Sequence, residues 1–128
     1  MTSAAGRISN ARQAPYAASK WALEAASEAL AQGMRPFGVR VATVEPGVIA
    51  TPTFGDVAPG TENSHYPHAR RSSALFAASL ENPASPYVVG EAIRRIAESE
   101  SWQLRYPVGP DAAPFLAWRA AMSDEAQL

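Results

Sequence analysis

Between Pro15 and Thr51 the chain keeps one rhythm that few folds accommodate: a long helix, a short break, an apolar strand and Pro-Gly. Pro15 suits a first helical turn, where its missing N–H costs nothing. Tyr16 to Gln32 is alanine-rich with high helix propensity. Trp21, Ala22, Ala25, Ala26 and Leu30 form a broad apolar stripe of mostly small residues, suited to close packing on a sheet or second helix. Gly33 reads as the C-cap, and Pro36 forbids continuation. Val39 to Glu45 is short and β-branched, a strand that Pro46-Gly47 ends. This order predicts an α/β layer with a parallel sheet, whose ligands bind outside the carboxyl ends of the strands.

The same reading extends outward. Residues 1–13 are small and polar and read as a loop with a turn at Gly6. Residues 51–85, rich in Pro, Gly and Ser, form a long connection suited to a lid or substrate loop, with a helix from His68 to Leu80. Phe54, Tyr66, Leu75 and Phe76 are its apolar pocket candidates. Ser85-Pro86 opens a further helix with Ser85 as N-cap. In that helix Val89, Ala92, Ile93, Ile96 and Ala97 are the buried stripe, and Glu91, Arg94, Arg95 and Glu98 point outward. Alternation of Trp102, Leu104 and Tyr106 predicts a strand over 102–107. Asp111 is expected to cap a last helix near Pro114–Met122, and the tail 123–128 to fray.

Bulk properties exclude several functions. With 128 residues, 47% hydrophobic and 18% charged, the chain is a single domain able to bury a core. A net charge of −1 gives no electrostatic case for nucleic acid or an anionic membrane. The absence of cysteine removes disulfides, thiolate catalysis and Cys-ligated metal, and fits a reducing, cytoplasmic setting. His65 and His68 lack an acidic cluster beside them, so no metal site is expected. No apolar run is long enough to span a bilayer, and the first residues do not read as a signal peptide.

The chemistry-bearing pair is Tyr16 and Lys20. Four residues apart on a helix, they share one face. A cation about 5 Å from the phenol, at an effective dielectric of about 20, is worth roughly 3 kcal/mol, or about two pKa units. That would make Tyr16 a usable acid and base near neutral pH. Alone, such a pair is a common solvated helix face.

Three further spacings change its meaning. Ser3 lies thirteen residues before Tyr16, Pro46-Gly47 begins thirty residues after it, and Thr51 completes Pro-Gly-x-x-x-Thr. With Ala5-Gly6 and Ser19, this set resembles the classical short-chain dehydrogenase/reductase family, over nearly the whole chain but only the C-terminal catalytic half of that fold. The resemblance implies a partial Rossmann-like, doubly wound parallel sheet over residues 1–128. It implies an NAD(P)-dependent oxidoreductase that interconverts an alcohol and a ketone or aldehyde. Tyr16 would be the proton donor and acceptor, and Ser3 would hydrogen-bond the substrate oxygen. Lys20 would lower the Tyr16 pKa and bind the nicotinamide ribose. The backbone of Pro46, Gly47, Val48 and Ile49 would position the nicotinamide, and Thr51 its carboxamide or the cofactor phosphate. Family practice further implies a homodimer or homotetramer through the helix at about 15–32.

The family's Gly-rich pyrophosphate turn, its NAD-or-NADP selecting residue and its Asn-Ala-Gly segment are not in this sequence. The expectation is therefore a chain lacking the nucleotide-binding first half, marginal or oligomeric by itself and weak in cofactor binding. The competing expectation is a catalytically inactive fragment serving as an interaction piece. A hydrolase built on Ser3 is disfavoured, because no Gly-x-Ser-x-Gly elbow is present.

Overall fold

The structure, a computed structural model, describes residues 1–52 and 64–127, with the backbone alone at Leu75 and Phe76. Phe54 lies outside the described residues, as do the side chains of Leu75 and Phe76. The chain is α/β. Helix α1 (Ala14–Met34) leads through a 3-10 turn (Arg35–Phe37) to strand β1 (Thr43–Pro46). Helices α2 (Ala69–Ser79) and α3 (Pro86–Glu98) precede strand β2 (Arg105–Val108), and α4 (Ala112–Ala120) and α5 (Asp124–Gln127) close the chain.

The two strands pair in parallel, Thr43 opposite Arg105 and Pro46 opposite Val108. Pro107, which has no N–H to give, sits in a strand that, among the described residues, has β1 as its one neighbour, a place that tolerates proline. On the other side of β1, the backbone N–H and side-chain hydroxyl of Thr2 both donate to the Val44 carbonyl, at 2.8 and 3.1 Å. β1 is therefore the centre of the layer, and all four of its residues are buried. Val44, Ile49, Val89 and Val108 make the main core, with Ala84, Ala92 and Ile96 packed against it. Ala4, Ile8 and Leu116 make a second cluster.

Several boundaries depart from the sequence reading for identifiable reasons. β1 begins at Thr43, because Val39 is exposed and Arg40 turns its guanidinium onto the Ile96 and Ala97 carbonyls at the end of α3. β2 begins at Arg105, because Trp102 lies outside the sheet under the Arg35 guanidinium, 5.1 Å from ring centroid to cation. α1 passes Gly33, and the left-handed residue that ends this segment is Gly38. In α3, Ile93 and Ala97 are exposed; Ser85 caps it as expected. Residues 124–127 are helical rather than frayed.

The largest departure concerns which face of α1 is buried. The stripe Trp21, Ala22, Ala25, Ala26 and Leu30 is exposed. The face turned inward carries Ala17, Lys20, Glu24, Ser27 and Ala31. An ion pair decides this. Arg105 of β2 draws Glu24 and Glu28 to itself, at 3.0 Å for Glu24. The helix thus packs on the Ala4–Gly6 turn and is tied to β2 by charge, with its apolar stripe exposed. Among the described residues, no helix is long and apolar enough to cross a membrane.

Candidate active site

Tyr16 stands in the first turns of α1 and is 50% exposed. Its hydroxyl has no hydrogen-bond partner among the described residues. The Lys20 ammonium lies over its ring, 5.6 Å from the centroid, and makes no ion pair among the described residues. The expected pair is thus in direct contact, with both polar ends available to a ligand. Ser19 is turned away from this chemistry: its hydroxyl donates to the Tyr16 carbonyl at 2.7 Å.

Ser3 is half-buried and caps a 3-10 turn, Ala4–Gly6, at the place where a turn at Gly6 was expected. Its oxygen accepts from the Ala5 N–H at 3.2 Å, which leaves the hydroxyl proton free to donate. Gly6 brings this turn against α1. A Cβ there would lie 2.9 Å from Glu24 Cγ and 3.2 Å from the Lys20 carbonyl oxygen, so only glycine lets the Ser3 turn sit this close to the Lys20 backbone. Next along, Arg7 reaches Glu45 at 3.7 Å. The Ser3 turn, the Tyr16–Lys20 helix and the end of β1 are therefore fastened to one another.

The Pro46–Thr51 turn leaves β1 at its carboxyl end. Gly47 donates to the Val108 carbonyl at 2.9 Å. Ala84 holds the turn from one side, donating to the Val48 carbonyl at 3.0 Å and accepting from Ala50 at 2.9 Å. In a parallel bridge of this kind, the N–H and C=O of the intervening residue point the opposite way. Those groups of Ile49 have no partner among the described residues. Its side chain is buried in the main core, so its backbone is held while its polar groups stay open. Thr51 is exposed, without a hydrogen bond among the described residues. Tyr66, a pocket candidate, is 73% exposed.

Four charged residues that organise this site do not stand out in the sequence. Glu45 is fully buried one residue before Pro46. Burial pushes its carboxyl above the usual carboxylate range and Glu24 adds to this, while Arg7 and Arg105 act against them. Glu24 is nearly buried one turn beyond Lys20. Arg105 serves both carboxylates, at 3.0 Å from Glu24 and 3.9 Å from Glu45. The fourth is Asp111. It was expected to cap α4 but makes no side-chain cap bond there; its Oδ2 instead accepts from the Val48 N–H at 2.8 Å. The available signal was a carboxylate inside an apolar strand, which demands a buried partner. Among the described residues, no group of three His, Asp or Glu side chains is placed to hold a metal.

A central parallel strand with the site at its carboxyl end is the arrangement of nucleotide-dependent α/β enzymes. The short chain dehydrogenase family model matches residues 1–62. An uncharacterized oxidoreductase of Schizosaccharomyces pombe is 31% identical over 110 residues, covering 85% of this chain and 47% of that protein. The mitochondrial D-beta-hydroxybutyrate dehydrogenase of Bos taurus is 41% identical over 64 residues, covering 48% of this chain and 17% of that protein. The crystal structure of a short-chain dehydrogenase from Streptomyces avermitilis superposes with a TM-score of 0.74 at 32% identity, covering 93% of this chain and 43% of that one. The chain belongs to the short-chain dehydrogenase/reductase family and has part of its Rossmann-like α/β fold. It spans less than half the length of these relatives.

Proposed function

We propose that this chain carries the catalytic residues of an NAD(P)-dependent oxidoreductase that interconverts an alcohol with a ketone or aldehyde. The observation that carries the reading is the contact of Tyr16 with Lys20, both open to a ligand, on a helix fastened to β1 through the Ala4–Gly6 turn and Arg7. The residues present fit the nicotinamide end of a dinucleotide. A primary carboxamide needs one donor and one acceptor, and the N–H and C=O of Ile49, unpaired among the described residues, supply both. The free ammonium of Lys20 suits ribose hydroxyls.

Bound NADH or NADPH would supply the hydride. Tyr16 gives its phenolic proton to the substrate oxygen as negative charge builds there, and takes it back in the oxidative direction. The Ser3 hydroxyl donates a second hydrogen bond to that oxygen. Lys20 stabilises the phenolate that Tyr16 becomes. The relative named as a hydroxybutyrate dehydrogenase supports a hydroxyl-bearing carbon as the reacting centre. We place the reaction in the cytoplasm.

The outward apolar stripe of α1 favours one addition: two copies of the chain associate through residues 15–32. A piece serving only as an interaction module would keep this association without turnover. Steady-state reduction of a ketone panel with NADH and NADPH separates the two. Tyr16→Phe should lower kcat by about 10²–10⁴-fold with cofactor binding nearly intact, and Lys20→Ala should weaken both. Near-full turnover by Tyr16→Phe would remove Tyr16 as the proton donor, and no turnover by the unaltered protein with either cofactor favours the interaction module.

A further inference from the structure

The Pro46–Thr51 turn is held from its second side by a carboxylate that no part of the reaction above uses. Asp111 follows β2 and precedes α4, so it stands at the same carboxyl edge as the turn. Its Oδ2 accepts from the Val48 N–H at 2.8 Å. Its Oδ1 is buried with no hydrogen bond among the described residues. A Cβ on Gly47 would overlap the Asp111 carboxylate, so the glycine of Pro46-Gly47 makes room for this side chain. Phe115 donates its N–H to the Asp111 carbonyl at 3.0 Å, which fixes the residue to the start of α4.

The consequence falls on Ile49. Ala84 takes the Val48 carbonyl and the Ala50 N–H. Asp111 takes the Val48 N–H. The two Ala84 bonds set the peptide planes on both sides of Ile49, and the Asp111 bond sets the Gly47–Val48 plane that precedes them, so the segment that aims the Ile49 N–H and C=O is held at its start as well as along its length. A charge-assisted bond to a backbone N–H is roughly twice as strong as a neutral one. It also costs nothing to reorganise when a ligand arrives.

We propose that Asp111 is a positioning residue: by holding the Val48 N–H in the space left by Gly47, it aims the Ile49 peptide groups at the carboxamide of a nicotinamide. This rests on the oxidoreductase reading of the turn. It adds a residue, and a reason for the glycine, that the reaction itself does not require.

The test is nuclear magnetic resonance of the full chain with two readouts. The first needs no cofactor. In Asp111→Ala, hydrogen exchange at the Val48 amide should rise about tenfold or more, as expected for loss of a hydrogen bond to a charged group. A wild-type exchange rate would overturn the proposal. The second titrates NADH and its 3-acetylpyridine analogue, which lacks the carboxamide NH₂. The unaltered chain should prefer NADH, with the Ile49 amide shifted by it. In Asp111→Ala that preference should shrink by about tenfold, whereas simple loosening of the fold would weaken both ligands alike. An unchanged preference overturns the positioning role. If NADH and NADPH shift neither Ile49 nor Tyr16 in the unaltered chain, the oxidoreductase reading fails, and with it the aim at a carboxamide. Should Asp111→Ala not fold, Asp111→Asn decides. Its neutral acceptor should move both readouts in the same direction by about threefold, and wild-type values overturn the proposal.

Discussion

The Nε of Arg105 donates to Oε2 of Glu24 at 3.0 Å, and this bond ties the helix carrying Tyr16 and Lys20 to the sheet. Glu24 lies one turn beyond Lys20, so the pair fixes the axial position of both candidate catalytic side chains. The same guanidinium faces the fully buried Glu45 at 3.9 Å. Removing it leaves two buried carboxylates with less compensation. Arg105→Ala should therefore destabilise the chain by about 2–4 kcal/mol, at the lower end because Arg105 itself is partly exposed. Arg105→Lys should recover only part of this, since an ammonium cannot fork between Glu24 and Glu28. Urea unfolding midpoints check it; a loss within about 0.5 kcal/mol would show that the helix is held by something else.

Glu45 gives the chain a pH dependence of stated sign. Burial, reinforced by Glu24, raises its carboxyl above the ordinary value in the folded state, against the pull of Arg7 and Arg105. A raised pKa means that the fold binds the proton more tightly than the unfolded chain does. The stabilisation is fully present below the ordinary carboxylate pKa and is lost as pH rises through the raised value. Glu45→Gln, which stays neutral, should remove that loss. The stability of the native chain relative to this variant should fall as pH is raised from 4 to 8, by at most about 1.4 kcal/mol per unit. Paired denaturation curves at each pH test it, and a difference that stays level or climbs would mean that the two arginines win.

The parts of the site that chemistry fixes at short range were legible in the sequence. Tyr16 and Lys20 share a helix, and helical geometry alone puts them in contact. Pro46-Gly47 had to end a strand, and does. The parts that depend on long-range partners were not. Asp111 after Gly-Pro looks like any helix cap, and nothing near it in sequence reveals that its partner is Val48. The stripe of α1 from Trp21 to Leu30 reads as a buried face by every local rule. It is overridden by Arg105, which lies far along the chain and attracts Glu24 and Glu28 instead. The strand limits at 43 and 105 shifted for the same kind of reason, since Arg40 and Trp102 found partners outside the sheet.

Gly6 should tolerate no side chain. A methyl group would press on the Lys20 carbonyl, which belongs to a helix backbone and cannot move aside cheaply. Gly6→Ala should cost about 1–3 kcal/mol and push the Ser3 turn away from α1. Because that turn positions the Ser3 hydroxyl, turnover should fall even at temperatures where the variant is folded. Circular dichroism melting with parallel rate measurements reads both effects. A variant as stable as the parent would mean that the turn is free to shift.

Arg12 is held in the left-handed region, at φ 73°, an uncommon place for a side-chain-bearing residue. Its guanidinium donates to the Ala69 carbonyl at 3.1 Å and the Ser73 hydroxyl at 3.0 Å, which fastens the approach to α1 onto α2. Arg12→Ala keeps the backbone strain and loses the ties, whereas Arg12→Gly loses both. The glycine variant should therefore be the more stable of the two by about 1 kcal/mol. Both should expose α2, and trypsin cleavage after Arg70 and Arg71 should accelerate in each. Cleavage at the parent rate would show that α2 is anchored without Arg12.

The exposed stripe of α1 makes the last prediction. Trp21 and Leu30 are 51% and 53% exposed, and Ala22, Ala25 and Ala26 between them form a flat small-residue surface. Small residues let two helices approach closely, and two large apolar groups at the ends of the stripe gain most from being covered. A second copy of the same helix presents a matching surface about a two-fold axis. The chain should therefore sediment as a dimer or tetramer at micromolar concentration. Ala26→Glu places a charge at the centre of the contact while keeping helix propensity high, so it should weaken association by about 100-fold or more, the cost of burying an unpaired carboxylate. Trp21 and Ala25 border the same cleft as Glu24 and Arg105, but Ala26 lies on the far side of the helix from that pair, so this variant should keep the monomer fold, as circular dichroism can verify. Equal sedimentation of parent and variant across a hundredfold dilution would mean that the stripe is not the contact.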